Sequence, residues 1–448
     1  MSKVFGPASP KQKMILESKA QILIIGGAAG CLSKDHEVLT PSGWVKISEW
    51  SGQDILQYDK ATGEAKFIPP LEFVKLPCEK LTRIEGNGIC QELSDEHTVI
   101  YKPDYKSQPR TLSFYEVAER HNNSVKKGWT GKFITTFNYD GPGIDMTEGE
   151  LRLQVAVMAD GRVVKEGKDN YTQMRFAKKR KYDRLIELCK KFGLRYEDRG
   201  SKPSERYTTG EQYEVIVWPK YPDKKFTEKY YQCSNEQLEI ILDEIFHWDG
   251  SFCKPYGGKT HNSFTGRYFT VHKMNADFVQ FVGSSLGYNT TISHDTRSGK
   301  DSYTVNIMAR GKGLRSLANK DRKAEFKEFI PTDGFKYCFV TQTGFFVTRL
   351  EDCVVVTGNS GKSYLLQLMP LAYVDDPQTA CIMFRRTTPQ LTGAGGLFDT
   401  AKSIYLQLDK EWKPKFREKA LEAIFPSGAK VLWRHMEYEN NKLDHQGE

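Results

Sequence analysis

No stretch of this 448-residue sequence is both long and apolar enough to cross a bilayer, and the first residues, MSKVFGPASPKQK, are too polar for an export signal. These absences remove membrane and secretory functions and lead to the expectation of a soluble, cytoplasmic protein. The nine cysteines include no C-x-x-C pair, which excludes a zinc knuckle or a disulfide framework and fits a reducing compartment. Acidic excess is also missing: the net charge is +8, which favours an acidic partner such as nucleic acid only where the positive charge is clustered. What is there is globular, with 39% hydrophobic and 12% aromatic residues and length for several domains.

A phosphate-binding loop is present only in halves. Val354 to Leu366 reads VVVTGNSGKSYLL. A loop of the form G-x-x-x-x-G-K-[ST] needs a glycine five residues before Gly361, and Val356 stands there. Far upstream, QILIIGGAAG (Gln21 to Gly30) is an apolar strand-like run that ends in glycines. Removing Cys31 to Asn359 and joining Gly30 to Ser360 yields Gly27-Ala28-Ala29-Gly30-Ser360-Gly361-Lys362-Ser363, a complete loop between a strand and an amphipathic helix. In such a loop Lys362 reaches the nucleotide phosphates and Ser363 ligands Mg2+.

The segment to be removed begins with Cys31 and ends in Asn359 followed by Ser360. In these boundary residues the sequence resembles an intein, a self-splicing protein insert with an all-β, horseshoe-shaped Hint domain. The resemblance implies that the Cys31 thiol attacks the Gly30 carbonyl, with a histidine nearby to serve the departing amide nitrogen. The family's T-x-x-H motif is matched by Ser94-x-x-His97 in ELSDEHTVI, which keeps the hydroxyl. Ser360 would take the upstream segment as an oxygen ester, Asn359 would cyclise and cut the following bond, and an O-to-N acyl shift would restore a peptide. CLSKDHEVLTPSGWVKISEW resembles the opening block, with a P-S-G hairpin turn, and YCFVTQTGFFVTRLEDCVVVTGN resembles the closing blocks. Cys338 falls where the family often carries Asp or Cys, and would help to activate the upstream junction. Gly358 stands where histidine usually precedes the terminal Asn, and TGFF lacks a second histidine.

A second activity is nested between residues 141 and 330. LQVAVMADG (Leu153 to Gly161) and LDEIFHWDG (Leu242 to Gly250) are helix-like runs ending in Asp-Gly. Each is followed by a strand, basic residues and another helix, an internal duplication of an α-β-α unit. Packed side by side, the leading helices would bring Asp160 and Asp249 together to hold Mg2+ for attack of water on a phosphodiester. The runs resemble LAGLIDADG homing endonucleases, which are α+β proteins whose sheets lie in the major groove of double-stranded DNA, and the resemblance implies a catalytic lysine, Lys178 or Lys179. Lys178 to Lys181 and the cluster Arg310, Lys312, Arg315, Lys320, Arg322 and Lys323 suit phosphate contacts.

The flanks, residues 1–30 and 360–448, read together as helix, strand, loop, helix, strand, helix, strand: the start of an α/β P-loop ATPase. PKQKMILES, MFRRTTPQLTGAGGLFDTAKSIY and FPSGAKVLWRHMEYENNKLDHQGE resemble the large subunit of a phage terminase, the ATP-driven DNA-packaging motor of an infected bacterium. The resemblance implies that Gln12 contacts adenine, that Arg385 or Arg386 lies near the nucleotide, and that the completed protein partners the small terminase subunit and the portal. No hydrophobic strand ending in Asp-Glu occurs before Glu448, so weak nucleotide binding and a piece of an interrupted gene are expected. The expected organisation is host segment 1–30, splicing domain 31–140, nuclease-like domain 141–330, splicing domain 331–359 and host segment 360–448. The alternatives are a static DNA-binding ATPase from which nothing is excised, and an insert that binds DNA without cutting it.

Overall fold

The computed structural model describes residues 31–124, 128–166, 169–205, 210–221, 223–252, 265–297, 299–308, 313–318, 324–358, 366–385, 388–392 and 397–436. Gln12, Gly27, Gly30, Asn359, Ser360, Gly361, Lys362, Ser363 and Arg386 lie outside the described residues, and with them both halves of the phosphate loop.

Strands far apart in sequence, one near residue 40 and one near residue 350, are woven into the same sheet. The P-S-G turn does close a hairpin: Gly43 takes the left-handed conformation (φ +106°) that glycine adopts without cost. There Thr40 Oγ1 donates to the Gly43 carbonyl at 2.8 Å, and strands Glu37–Thr40 and Gly43–Lys46 pair antiparallel. Against Glu37–Thr40 lies Phe345–Leu350, from the other end of the insert, and that strand turns back through Glu351-Asp352 into Cys353–Gly358. Leu32 is bridged both to Tyr337 in strand Phe335–Val340 and to Leu93 at the end of strand Ile89–Leu93. Residue 31 is thereby sewn between strands that are distant in sequence. One helix, α1 (Phe114–Asn122), interrupts the strands, started by a capping box in which Ser113 and Glu116 satisfy each other's backbone N–H.

The duplicated region repeats more than the sequence suggested. The first copy runs α2 (Glu148–Asp160), strands Gly161–Glu166 and Asp169–Phe176, α3 (Lys179–Phe192), and strands Tyr196–Pro203 and Glu211–Val217. The second runs α4 (Asn235–Ile245), strands Gly250–Phe252 and Thr265–Thr270, α5 (Lys273–Ser285), and strands Asn289–Asp295 and Ser302–Met308. Each copy's four strands form a sheet in the same order, first-second-fourth-third. The unit is therefore α-β-β-α-β-β rather than α-β-α; the hairpins after α3 and α5 are rich in charge and polar residues, which hid their alternation. A second correction concerns Asp249. Asp160 is the last residue of α2, as expected, but α4 ends at Ile245, and Asp249 sits in the turn before Gly250.

Burial joins these parts. One apolar cluster contains Leu39, Leu56 and Ile100 from the strands that precede the duplicated region together with Ala156, Ile241, Phe278 and Phe281 from that region. At its edge Arg349, only 1% exposed, pairs with Glu37 at 2.6 and 3.1 Å and with Asp277 of α5 at 2.5 Å. It also donates to Gln280 at 3.0 Å and covers the Trp44 ring at 4.4 Å. Beyond the insert, strands Ala380–Arg385 and Lys430–His435 pair in parallel. They continue into an antiparallel hairpin, Glu422–Ile424 with Lys415–Arg417, around a separate core of Phe398, Tyr405 and Trp433.

Removing one partner of a buried ion pair leaves the others uncompensated, which costs far more than the pair contributes. Arg349→Ala is expected to destabilise the insert by about 3 kcal/mol, read as a lower denaturation midpoint, while Arg349→Lys recovers only part because it loses the two-pronged contact with Glu37.

Candidate functional site

Cys31 and Thr357 converge on the turn Ser94 to His97. That turn follows strand Ile89–Leu93 and is closed by the His97 N–H donating to the Ser94 carbonyl at 2.9 Å. Cys31 docks onto it in both directions: its N–H donates to Ser94 Oγ at 2.9 Å, and the Ser94 N–H donates to the Cys31 carbonyl at 3.0 Å. The nitrogen of the Gly30–Cys31 bond thus lies against a hydroxyl. On the other side, His97 Nε2 meets Thr357 Oγ1, one residue before Gly358 at the end of the closing strand. Cys31, Ser94 and His97 are buried, as is Cys338, whose side chain packs against Cys31 beside Val74 and Leu76. The structure therefore brings together Cys31, Ser94, His97 and Cys338, and draws Thr357 to them.

Three further residues at this corner were not marked by the sequence. Lys336, two residues before Cys338, is paired with Glu96 at 2.8 Å. Burial alone would lower its pKa, but Glu96, with Cys31 and Cys78 also facing it, holds it above the usual lysine range; a fixed positive charge thus stands beside the Cys31 thiol. Thr357 carried no signal beyond its place near the terminal Asn. His36 is fully enclosed, with Nδ1 3.1 Å from Ser33 Oγ and Nε2 accepting from the Glu92 N–H. Burial, and then His97, push its pKa down to about 3. Gly358 also has a physical reason. A Cβ there would approach the Phe345 ring within 2.6 Å, so a histidine at this position would require Phe345, of the TGFF stretch, to move.

The second constellation lies where α2 ends. Lys181 Nζ bridges Asp160 Oδ2 at 2.5 Å and Asp249 Oδ1 at 3.4 Å. Desolvation raises the Asp249 pKa, and Lys181 opposes the rise. Lys224, from the segment between the two copies, donates to the Val157 and Met158 carbonyls at 2.9 and 2.8 Å; burial lowers its pKa. Glu244 of α4, wholly buried, binds Arg152 of α2 at 2.8 Å and Arg184 of α3 at 2.6 Å, which ties α2, α3 and α4 together beside the two aspartates. The lysine assignment is corrected by this geometry: Lys179 is exposed and paired with Asp183 one helical turn on, Lys178 is the N-cap of α3, and Lys181 is the residue at the carboxylates. Arg315 is corrected too. Rather than offering itself to phosphate, its side chain packs over Gly88 and donates to the Asn87 carbonyl at 3.2 Å. Two carboxylates with backbone oxygens nearby are a hard donor set that fits Mg2+, provided Lys181 shifts from between them. Arg385 ends its strand exposed, and no described helix is long and apolar enough to cross a membrane.

No protein-family model matches the chain, and no curated protein matches it. Solved structures similar to parts of it include a splice-inactive variant of the AceL NrdHF class 3 split intein, at 19% identity over 26% of this chain and 67% of that one, with a TM-score of 0.20. The homing endonuclease I-DmoI in complex with DNA and Mn is similar at 16% identity over 36% and 89%, with a TM-score of 0.25. The N-terminal LAGLIDADG domain of WhiA is similar at 11% identity over 37% and 76%, also with a TM-score of 0.25. Overlaps this small carry no argument about fold or function.

A buried neutral histidine gives a pH signature. His36 binds its proton near pH 3 when folded and near its ordinary value of 6.5 when unfolded, so the unfolded state holds more protons between these values and stability falls as pH drops below about 6.5. A chain carrying His36→Gln is expected to show a shallower loss from pH 6.5 to 4, measured as denaturation midpoints.

Proposed function

We propose that residues 31–359 splice themselves out and join Gly30 to Ser360, restoring the phosphate loop of a phage terminase large subunit. The observation that carries this reading is the Cys31 N–H donated to Ser94 Oγ at 2.9 Å, in a turn whose His97 also touches Thr357 beside the other junction. In the first step the Cys31 sulfur bonds to the Gly30 carbonyl carbon, the C–N bond breaks, and the nitrogen gains a proton, with Ser94 orienting it and His97 as the acid in the same turn. The Lys336 ammonium stands beside the Cys31 sulfur, and Cys338 packs against it. The Ser360 oxygen then displaces the sulfur to give an ester. The Asn359 side-chain nitrogen closes on its own carbonyl and releases Ser360, and the freed amine takes the acyl group back from oxygen.

Within the same reading the duplicated region is a LAGLIDADG-type endonuclease for double-stranded DNA that lacks the insert. Asp160 and Asp249 would hold Mg2+, which, when bound, supplies Lewis-acid assistance to phosphodiester hydrolysis. Lys181 positions both carboxylates and supplies positive charge at the cut, the role first expected of Lys179. ATP and Mg2+ would belong to the spliced host protein through Gly27, Lys362 and Ser363, with the packaging machinery as its partner.

Expression followed by mass measurement tests splicing. The expected products are residues 1–30 joined to 360–448 and a free insert, both lost in Cys31→Ala with Asn359→Ala; an unprocessed chain of 51.2 kDa in the unsubstituted protein would refute the reading. Thr357→Val is expected to slow product formation by roughly 10-fold to 100-fold, as misplacing a catalytic group does. For the nuclease, Asp160→Asn is expected to abolish Mg2+-dependent cutting of an uninterrupted phosphate-loop coding sequence yet leave its gel shift intact. A shift without cutting in the unsubstituted protein would instead assign the region to DNA binding alone.

A further inference from the structure

Cys31 and Cys338, far apart in sequence, stand opposite each other in an antiparallel pairing. Leu32 and Tyr337 are bridged antiparallel and exchange both backbone bonds: the Leu32 N–H donates to the Tyr337 carbonyl at 2.7 Å, and the Tyr337 N–H to the Leu32 carbonyl at 2.9 Å. In such a pair one step back on one chain meets one step forward on the other, and bonded positions alternate with unbonded ones. Cys31 therefore falls opposite Cys338 at an unbonded position. Its own backbone agrees, because its N–H and its carbonyl both turn the other way, to Ser94 Oγ at 2.9 Å and to the Ser94 N–H at 3.0 Å. On its far side Cys338 is in register with Val74 of strand Glu72–Pro77. Unbonded positions are those where antiparallel chains approach most closely, with Cα atoms about 4.5 Å apart, and residues directly opposite share a face. The two thiols do so: both are 0% exposed, and they pack on each other beside Val74 and Leu76.

We propose that Cys31 and Cys338 are a reversible redox site, which a peroxide closes into a cross-strand disulfide. Both are reduced thiols in the structure. A disulfide needs Cα atoms roughly 4.4 to 6.8 Å apart and side chains that point together, which an unbonded antiparallel pair supplies without moving either strand. Hydrogen peroxide, little larger than water, is the oxidant that suits a site closed to solvent. Leu32 is joined to its neighbours by isolated bridges rather than a continuous ladder, so this edge opens locally at less cost than a full strand. Peroxide oxidises one sulfur to a sulfenic acid and leaves as water. The second thiol then attacks that sulfur, the S–O bond breaks, the S–S bond forms, and the oxygen departs as a second water. Two electrons pass from the sulfurs to the peroxide, and both thiol protons end in water. Because the neighbouring thiol is already in contact, the sulfenic acid is captured before further oxidation, and a thiol or phosphine reverses the step. The consequence rests on the splicing reading: a Cys31 sulfur held by Cys338 cannot bond to the Gly30 carbonyl carbon, so excision waits for a reducing environment.

The test uses the full chain carrying Asn359→Ala, which keeps the downstream junction closed and both thiols in place. After treatment with hydrogen peroxide, peptide mapping without reductant is expected to recover Cys31 and Cys338 in one linked peptide that a phosphine separates. The link should vanish in Cys338→Ser and persist in Cys78→Ser, which removes the half-buried thiol of the adjoining strand end. Hydroxylamine, which cleaves a thioester but not a peptide bond, should release residues 1–30 from the reduced chain, none from the linked chain, and the full amount again once a phosphine has restored the thiols. A peptide joining Cys31 to a different cysteine, Cys31 oxidised without any link, or undiminished release from the linked chain would overturn the proposal. A link in a chain that hydroxylamine never cleaves, even when reduced, would leave the redox site standing and refute the splicing reading instead.

Discussion

The buried Arg349 holds three parts of the described structure in register. Its guanidinium is almost wholly withdrawn from water, a state that costs several kcal/mol unless opposite charge and hydrogen bonds surround it. Here they come from three directions: Glu37 in the opening hairpin, Asp277 and Gln280 in α5, and the Asp352 side of the closing turn, where Lys273 also bonds Asp352 at 2.7 Å. Gln280 further donates to the Asp352 carbonyl at 2.7 Å. None of these partners is satisfied if the hairpins slip by a residue, because a one-residue slip turns Arg349 and Glu37 to opposite faces. Register along this seam sets where Thr357 falls, and hence whether His97 finds it.

The closing strand shows what that register demands. Gly358 lies flat under Phe345 with no room for a side chain, so the residue before Asn359 cannot assist chemically. On the proposed splicing reading, help for the downstream junction comes from across the sheet, from His97 by way of Thr357 Oγ1, and one histidine then serves both ends. This economy requires that both ends reach the same turn, which the double bridging of Leu32 and the pairing of Phe345–Leu350 with the first hairpin provide. An insert whose ends lie side by side can also interrupt a tight loop without pulling the flanks apart.

On the proposed splicing reading, residues demanded by chemistry were legible in the sequence and those demanded by packing were not: Cys31 and Asn359 stood out at the edges of a repaired motif, and Ser94 and His97 by their T-x-x-H-like spacing. Arg349, Lys336 and His36 look like any surface charge or lone histidine until distant strands enclose them. Lys181 is different, because its signal was present. Leu185 and Leu188 follow it at four and seven residues and are buried, so helical phase turns Lys181 inward while Lys179 faces Asp183. The run of four basic residues drew attention to composition where periodicity decided.

Phase also explains why the two copies are not equivalent at their shared centre. Lys181 is the third residue of α3; the third residue of α5 is Asn275, buried, whose Oδ1 accepts the Phe226 N–H at 2.9 Å. The second copy therefore contributes no cation of its own from that position. Its first-turn lysine, Lys273, is committed to Asp277 and Asp352 at the Arg349 seam. Yet the Asn275 contact pins the segment between the copies, and two residues before Phe226 stands Lys224, held on the last carbonyls of α2 near Asp160 and Asp249. The carboxylate pair is thus flanked by one lysine from a repeat helix and one from the connecting segment. On the proposed nuclease reading the two strands of a duplex would meet unequal charges, since Lys181 and Lys224 stand at the carboxylates while Lys273 is paired with Asp277 and Asp352.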